Sequence, residues 1–263
     1  MPLLSEVAKG AYVRVLGVGA SGAGKTGSLV SLVKAGYKLR IYDLDTGLDA
    51  LVNQIRVQCP DKIDNVQVMH FRDQYTFTPS GSVVKGTPRA LGGLLRALEK
   101  WEDGSDPSKW GQDTVVVIDS LTALGRAAYA WAKQLHFGTK LQNEKRQHYQ
   151  EAQDQITSML DTLTGEAFAT HVIVFTHIDV RKQEDGTVKG WPSAIGEALG
   201  PKIPAFFNTM LVYETTGTGT SAKRKIRTMP TMLVDAKNPA PQKIEASYDI
   251  GQLDVIFSHL RNL

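Results

Sequence analysis

The residues with the clearest chemical capacity are Gly19, Ala20, Ser21, Gly22, Ala23, Gly24, Lys25 and Thr26, which match the spacing G-x-x-x-x-G-K-[ST] in full. Glycines at these intervals let the backbone aim its N–H groups at one point, and a helix starting at Gly27 adds the positive end of its dipole there. Lys25 is placed to neutralise the β and γ oxygens of a triphosphate, and the Thr26 hydroxyl to ligate Mg²⁺. The expected cofactors are therefore ATP and Mg²⁺, held by Gly19 through Gly27. A second element is Val115-Val116-Val117-Ile118-Asp119-Ser120. An apolar strand ending in Asp119 puts a carboxylate at the carboxyl edge of a sheet, where it can hold Mg²⁺ through water. Capping of the next helix is the other use of this pair, and Asp119 and Ser120 can share the two tasks.

Such a loop needs a strand before it and a helix after it, and the sequence offers both. Tyr12–Val18 is an apolar, β-branched run, and Gly27–Lys34 reads as a helix. Lys38–Tyr42 and Val66–Phe71 read as further strands. Thr87-Pro88 opens a helix that runs through Trp101 with Leu91, Leu94, Leu95 and Leu98 on one face. Thr114–Ile118 and His171–Thr176 are continuous apolar runs of the kind buried on both faces of a parallel sheet. Leu121 to Leu135 has helical spacing, the stretch 136–148 is polar, and a long amphipathic helix follows from Tyr149 to a C-cap at Gly165. Asp179–Ala194 reads as irregular. Met210–Glu214, Lys225–Arg227, Thr231–Val234 and Lys243–Ala246 read as short strands of a meander or hairpin at one sheet edge. The alternation predicts an α/β fold: a doubly wound, mostly parallel sheet with an antiparallel C-terminal edge extension. One domain is expected over residues 1–263, with an N-terminal lead at 1–11, a core at 12–247 and a C-terminal tail helix at 248–263.

Composition narrows the function classes. The chain has 263 residues, 42% of them hydrophobic, enough for one sizeable core. A net charge of +3, from 30 basic and 27 acidic side chains, does not by itself argue for a polyanion partner. A single cysteine, Cys59, forbids an intramolecular disulfide and fits a reducing cytoplasm. There is no secretory signal pattern and no run near the roughly 20 apolar residues that span a bilayer, so a soluble, cytoplasmic protein without a membrane partner is expected. His70, His171 and His259 lack zinc-ligand spacing, and no G-x-S-x-G elbow supports a nucleophilic serine.

Val115–Leu124 resembles the Walker B segment of RecA-type ATPases, and Tyr42–Asp49 resembles that family's strand end whose acidic residue activates the attacking water. The resemblance places Asp45 in the catalytic role, where the family usually has Glu, with Asp43 as the alternative. Val172–Asp179 resembles the strand whose following polar residue senses the γ-phosphate, so that Thr176 or His177 is implied as the sensor. Asp179–Ala194 and the stretch 136–148 correspond in position to the family's two DNA-binding loops. Leu233–Pro241 resembles the segment that supplies a lysine to the neighbouring subunit's ATP; Lys237 is the match, although the family's second lysine is replaced by Pro239 or displaced. The resemblance runs in order from Tyr12 to Ala246. It implies a RecA-like core, similar to phage single-strand annealing and recombination ATPases, that assembles into a ring or filament in a host cytoplasm.

The two candidate loops place Lys140, Lys145, Arg146, Arg181, Lys182 and Lys189 near rings such as Trp191, Phe137, His136 and His148. Cations beside stackable rings suit single-stranded DNA, because every base offers a π-face. The basic run Lys223-Arg224-Lys225-Ile226-Arg227 could neutralise phosphates or simply guard a sheet edge. The expected activity is a DNA-dependent ATPase, with single-stranded DNA and a single-strand-binding protein as partners. A small-molecule P-loop kinase and a nucleotide-gated binding module without turnover are the alternatives.

Overall fold

The computed structural model describes residues 12–79 and 81–262, so the expected lead at 1–11 lies outside the described residues. Six parallel strands form the centre of the sheet: β1 (Arg14–Gly19), β2 (Lys38–Asp43), β3 (Val66–His70), β6 (Gly111–Asp119), β7 (Thr170–Thr176) and β10 (Thr209–Thr216). Two hairpins, β4 (Tyr75–Thr78) with β5 (Gly81–Val84) and β8 (Ile178–Lys182) with β9 (Val188–Pro192), stand apart from it. β11 (Lys223–Arg227) and β12 (Ser247–Asp249) extend the β10 edge in antiparallel fashion. The eight-stranded order is β12-β11-β10-β1-β7-β6-β2-β3.

Strand periodicity divides the core into two layers. On β6, Val116 and Ile118 face one side and Val115 and Val117 the other. The first side is covered by α3 (Ala90–Glu99), α4 (Leu121–Leu135) and α5 (Lys145–Thr164). The second is covered by α1 (Lys25–Lys34), α2 (Asp49–Gln58) and α6 (Leu253–Arg261). Helices on both faces of a mostly parallel sheet, with an antiparallel extension at the C-terminal edge, make this the expected doubly wound α/β fold. Among the described residues no helix is long and apolar enough to cross a membrane.

Four segments differ from the sequence reading. Asp179–Ala194 is not irregular: it contains most of the β8–β9 hairpin, whose turn is closed by Gly186 at φ 85° and by the Asp185 carboxylate accepting from the Thr187 backbone N–H. Thr231–Val234 and Lys243–Ala246 are not strands; β12 is the last edge strand, and Val234 makes only an isolated bridge to Gly190. The tail at 248–263 is a strand end followed by α6 rather than all helix.

His171 lies at the sheet's amino end, fully buried between β6 and the start of β1. Its Nδ1 accepts from the Val13 N–H at 2.9 Å and its Nε2 faces the Gln112 carbonyl at 3.0 Å, which fixes a neutral ring. Burial lowers its pKa from the ordinary 6.5 to about 4. The unfolded chain therefore binds one more proton in this window. Stability supplied by the neutral ring is complete above pH 6.5 and falls by roughly 3 kcal/mol as pH drops to 4. Denaturant midpoints of the wild type and of His171→Gln across pH 4–7 check this; the variant is expected to show the shallower slope, and equal slopes contradict the account.

Candidate active site

Parallel strands deliver their carboxyl ends to one edge, and there the side chains expected to do chemistry converge. Asp43 on β2 is level with Asp119 on β6, which is level with Phe175 beside Thr176 on β7. Gly19 ends β1 opposite Tyr213 on β10, and a Cβ at position 19 would stand 2.7 Å from the Tyr213 carbonyl oxygen. That close approach excludes any larger residue. Gly22 and Gly24 take φ values of 76° and 96°, which turn the loop over the first turn of α1. Ala20, Ser21 and Gly22 are exposed, and Ala23 is buried beneath them, its N–H donating to the Ala20 carbonyl.

The loop opens into a cleft of about 420 Å³, lined by Ser21–Gly22, Gly24–Gly27, Asp45, Asp119, His177 and Arg224. Lys25 is buried, and its ammonium donates to the carbonyls of Gly19 at 2.8 Å and Ala20 at 3.0 Å. Burial lowers its pKa, while the charges of Asp119 and Asp45 act in the other direction. The Thr26 hydroxyl donates to Asp119 Oδ2 at 2.6 Å. Burial pushes the Asp119 carboxyl up to about 6; the Thr26 hydrogen bond and Lys25 oppose that, and the charges of Asp45 and Asp43 reinforce it. A hydroxyl and a carboxylate this close, with backbone N–H groups beside them, fit a divalent cation and a phosphate chain, because the cation returns the charged form of Asp119.

Asp45 sits across the cleft. Its Oδ2 accepts from Ser120 at 2.6 Å and lies 3.9 Å from His177 Nε2, and its Oδ1 is 3.5 Å from Arg126. Asp43, the alternative acid, is engaged elsewhere. Its buried carboxylate lies 2.6 Å from His70 Nδ1 and accepts from Arg72, which also donates to the Asp45 carbonyl. Half-buried His177 has a lowered pKa through burial and then through the positive charge of Lys25. Of the two sensor candidates, His177 lines the cleft. The Thr176 hydroxyl is buried and donates to the Ser193 carbonyl beside Thr122. Ser120 caps α4 through the Ala123 N–H while holding Asp45.

Other expected site residues lie apart. Lys237 pairs with Met210 on the inner half of β10, and its ammonium donates to the carbonyls of Pro204 and Phe207 of the same chain. Lys140 is exposed in the turn after α4, whereas Lys145 and Arg146, also exposed, form the first turn of α5 rather than a loop. His136 and His148 are not available for stacking on a ligand: they are buried against each other between α4 and α5. In the β8–β9 hairpin Lys182 is exposed, Arg181 is paired with Asp179, and Lys189 pairs with Asp235 while lying 4.5 Å over Trp191. Sequence reasoning missed Arg224 as a cleft residue. Its guanidinium donates to the Gly22 carbonyl at 3.0 Å, reaching the loop from β11. Gln54 and Ala50 of α2 complete the rim. The basic run around Arg224 was visible in the sequence, but its destination depends on β11 returning beside β10.

Among solved structures, the chain is similar to a KaiC-like protein of Pyrococcus horikoshii OT3, at 12% identity over 82% of this chain and 77% of that one, with a TM-score of 0.38. It is also similar to the flagellar accessory protein FlaH of Methanocaldococcus jannaschii, at 9% identity over 89% and 83%, with a TM-score of 0.44. The RadB recombinase is similar at 17% identity over 82% and 79%, with a TM-score of 0.40. No curated protein matches the chain. A family model described as an AAA domain matches residues 11–240. That span takes in the phosphate loop, Asp45, Asp119, His177 and Arg224, and the chain belongs to this AAA-domain family.

Proposed function

We propose that the chain binds ATP with Mg²⁺ and hydrolyses it, and that it does so on single-stranded DNA, as a self-associating ring or filament in phage-type recombination or strand annealing in a host cytoplasm. The observation that carries the ATPase reading is one cleft holding Lys25, the Thr26–Asp119 pair and Asp45. Mg²⁺, when bound, would draw charge from the β and γ oxygens. Thr26 and Asp119 hold it, Lys25 and the loop N–H groups hold the phosphates, and Asp45 takes the proton of the attacking water. Ser120 orients the Asp45 carboxylate by its hydrogen bond. His177 reports the far end of the phosphate chain to the β8–β9 hairpin, since it lines the cleft and its carbonyl accepts from Ser193 just beyond β9.

The DNA reading is supported by the exposed cations Lys140, Lys145, Arg146 and Lys182 on the α4–α5 turn and the hairpin. In the assembly Lys237 would complete a neighbour's ATP site, and to do so its ammonium must leave the Pro204 and Phe207 carbonyls of its own chain. Steady-state phosphate release tests the reading. Turnover per chain is expected to rise with protein concentration and again with added single-stranded DNA, and DNA binding to weaken steeply with salt. A rate indifferent to both would sink the recombination role and leave ATP hydrolysis standing. Tight ATP binding without release would favour the nucleotide-gated module, and transfer of phosphate to a nucleoside would favour the kinase.

A further inference from the structure

A second groove, of about 640 Å³, opens between the β4–β5 hairpin and the outer face of α4. Arg126, Tyr129 and Lys133 line it from α4, at helical spacing that sets them on one face. Tyr75, 51% exposed, lines it from the hairpin, and Phe137, 69% exposed, lines it from the turn after α4. On the hairpin, two residues beyond Tyr75 and therefore on the same face of the strand, Phe77 stands 88% exposed. Among the described residues, those lining the groove include two cations and no carboxylate. A hairpin that presents bare rings across from cations costs solubility without helping the core, which argues for a ligand that uses both.

We propose that single-stranded nucleic acid lies in this groove, with bases stacked on Tyr75 and Phe137 and phosphates against Arg126 and Lys133. The rings supply sequence-tolerant stacking and the cations neutralise the backbone; an acidic peptide would use the cations and leave the rings idle. The inference rests on the nucleic-acid reading above and assigns it the β4–β5 hairpin and the outer face of α4, separate from the β8–β9 hairpin. It also supplies a route to the ATP cleft. Arg126 lies 3.5 Å from Asp45 Oδ1 and is 65% exposed at its side chain. A phosphate in the groove competes with Asp45 for that guanidinium. Drawing Arg126 away frees the carboxylate to accept the proton of water, so occupancy of the groove raises turnover through one side chain.

The test uses the full chain with Mg²⁺ and a fluorescent oligothymidylate, with a slowly hydrolysed ATP analogue for binding and ATP for turnover. The double variant Tyr75→Ala, Phe137→Ala is expected to weaken oligothymidylate binding on the order of tenfold or more, with nucleotide affinity and DNA-free turnover unchanged. Both side chains are at least half exposed, so the variant keeps its fold, which a thermal melt verifies. Arg126→Gln is expected to bind oligothymidylate but to lose the stimulation of turnover. If the wild type binds oligothymidylate and the double variant binds it equally well, the groove proposal is overturned while the DNA reading survives. Loss of self-association in the double variant, with DNA affinity intact, would overturn it in favour of a second copy of the chain as the occupant. If the wild type binds no oligothymidylate in any nucleotide state, the DNA reading itself falls.

Discussion

Lys25→Ala lowers affinity for ATP with Mg²⁺ by about a hundredfold or more, and the protein keeps its fold. Lys25 is 7% exposed, and its ammonium reaches back over the loop to the Gly19 and Ala20 carbonyls. In the proposed role it would meet the β and γ oxygens of a triphosphate in a partly desolvated cleft, where a charged hydrogen bond is worth roughly 1.5–3 kcal/mol. Two such bonds exceed the ~2.7 kcal/mol that a hundredfold change requires. Alanine is well tolerated near the start of a helix, so the helix that follows the loop is retained. Lys25→Arg is not expected to rescue binding, because the planar fork is wider than the compact ammonium the loop encloses. Calorimetric titration with an ATP analogue, beside a thermal melt, decides the matter. A folded Lys25→Ala protein that binds as tightly as wild type would remove the nucleotide reading and everything built on it.

The sequence was most informative where local chemistry and periodicity coincide. The phosphate loop was legible because its glycines, Lys25 and Thr26 are adjacent in the chain, and the strands β6 and β7 because burial on both faces leaves unbroken apolar runs. The doubly wound sheet followed from the alternation of such runs with helical spacing. What escaped has different causes. Only Leu51 and Ile55 of α2 are buried, so its apolar stripe is two residues long and gives little helical signal. The β4–β5 hairpin contributes little to the core, so no buried face disciplines its pattern. Thr231–Val234 has strand-like composition, but the chain there makes a single bridge to Gly190 instead of a ladder. Arg224 from β11 and Arg126 from α4 reach Gly22 and Asp45 from elements far apart in sequence, and only the fold brings them to one edge of the sheet. His136 and His148 show the opposite error: polar spacing suggested a surface, yet the α4–α5 pair encloses both rings.

Asp45→Asn is the substitution that separates hydrolysis from binding. Asparagine keeps the size of the side chain and an oxygen for the Ser120 hydroxyl, so the cleft retains its shape. It cannot take a proton. Loss of a positioned base costs about 10²- to 10⁴-fold in turnover, and ATP affinity is expected to change by less than about threefold because Asp45 is not needed to hold the phosphates. Asp43→Asn provides the contrast. Its carboxylate is buried beside His70 and Arg72, away from the cleft lining, so that substitution is expected to lower thermal stability by leaving Arg72 without its buried partner. Asp45→Glu examines reach: the added methylene lengthens the acid within the cleft that Thr26 and Asp119 also line. Restored or raised turnover in the Glu variant would mean that the wild-type acid stands slightly short of its water. Single-turnover phosphate release with each variant, measured alongside ATP affinity, gives the answer. Unchanged turnover in Asp45→Asn would exclude it as the base and shift that role to His177, which lines the same cleft with its Nε2 3.9 Å from Asp45 Oδ2.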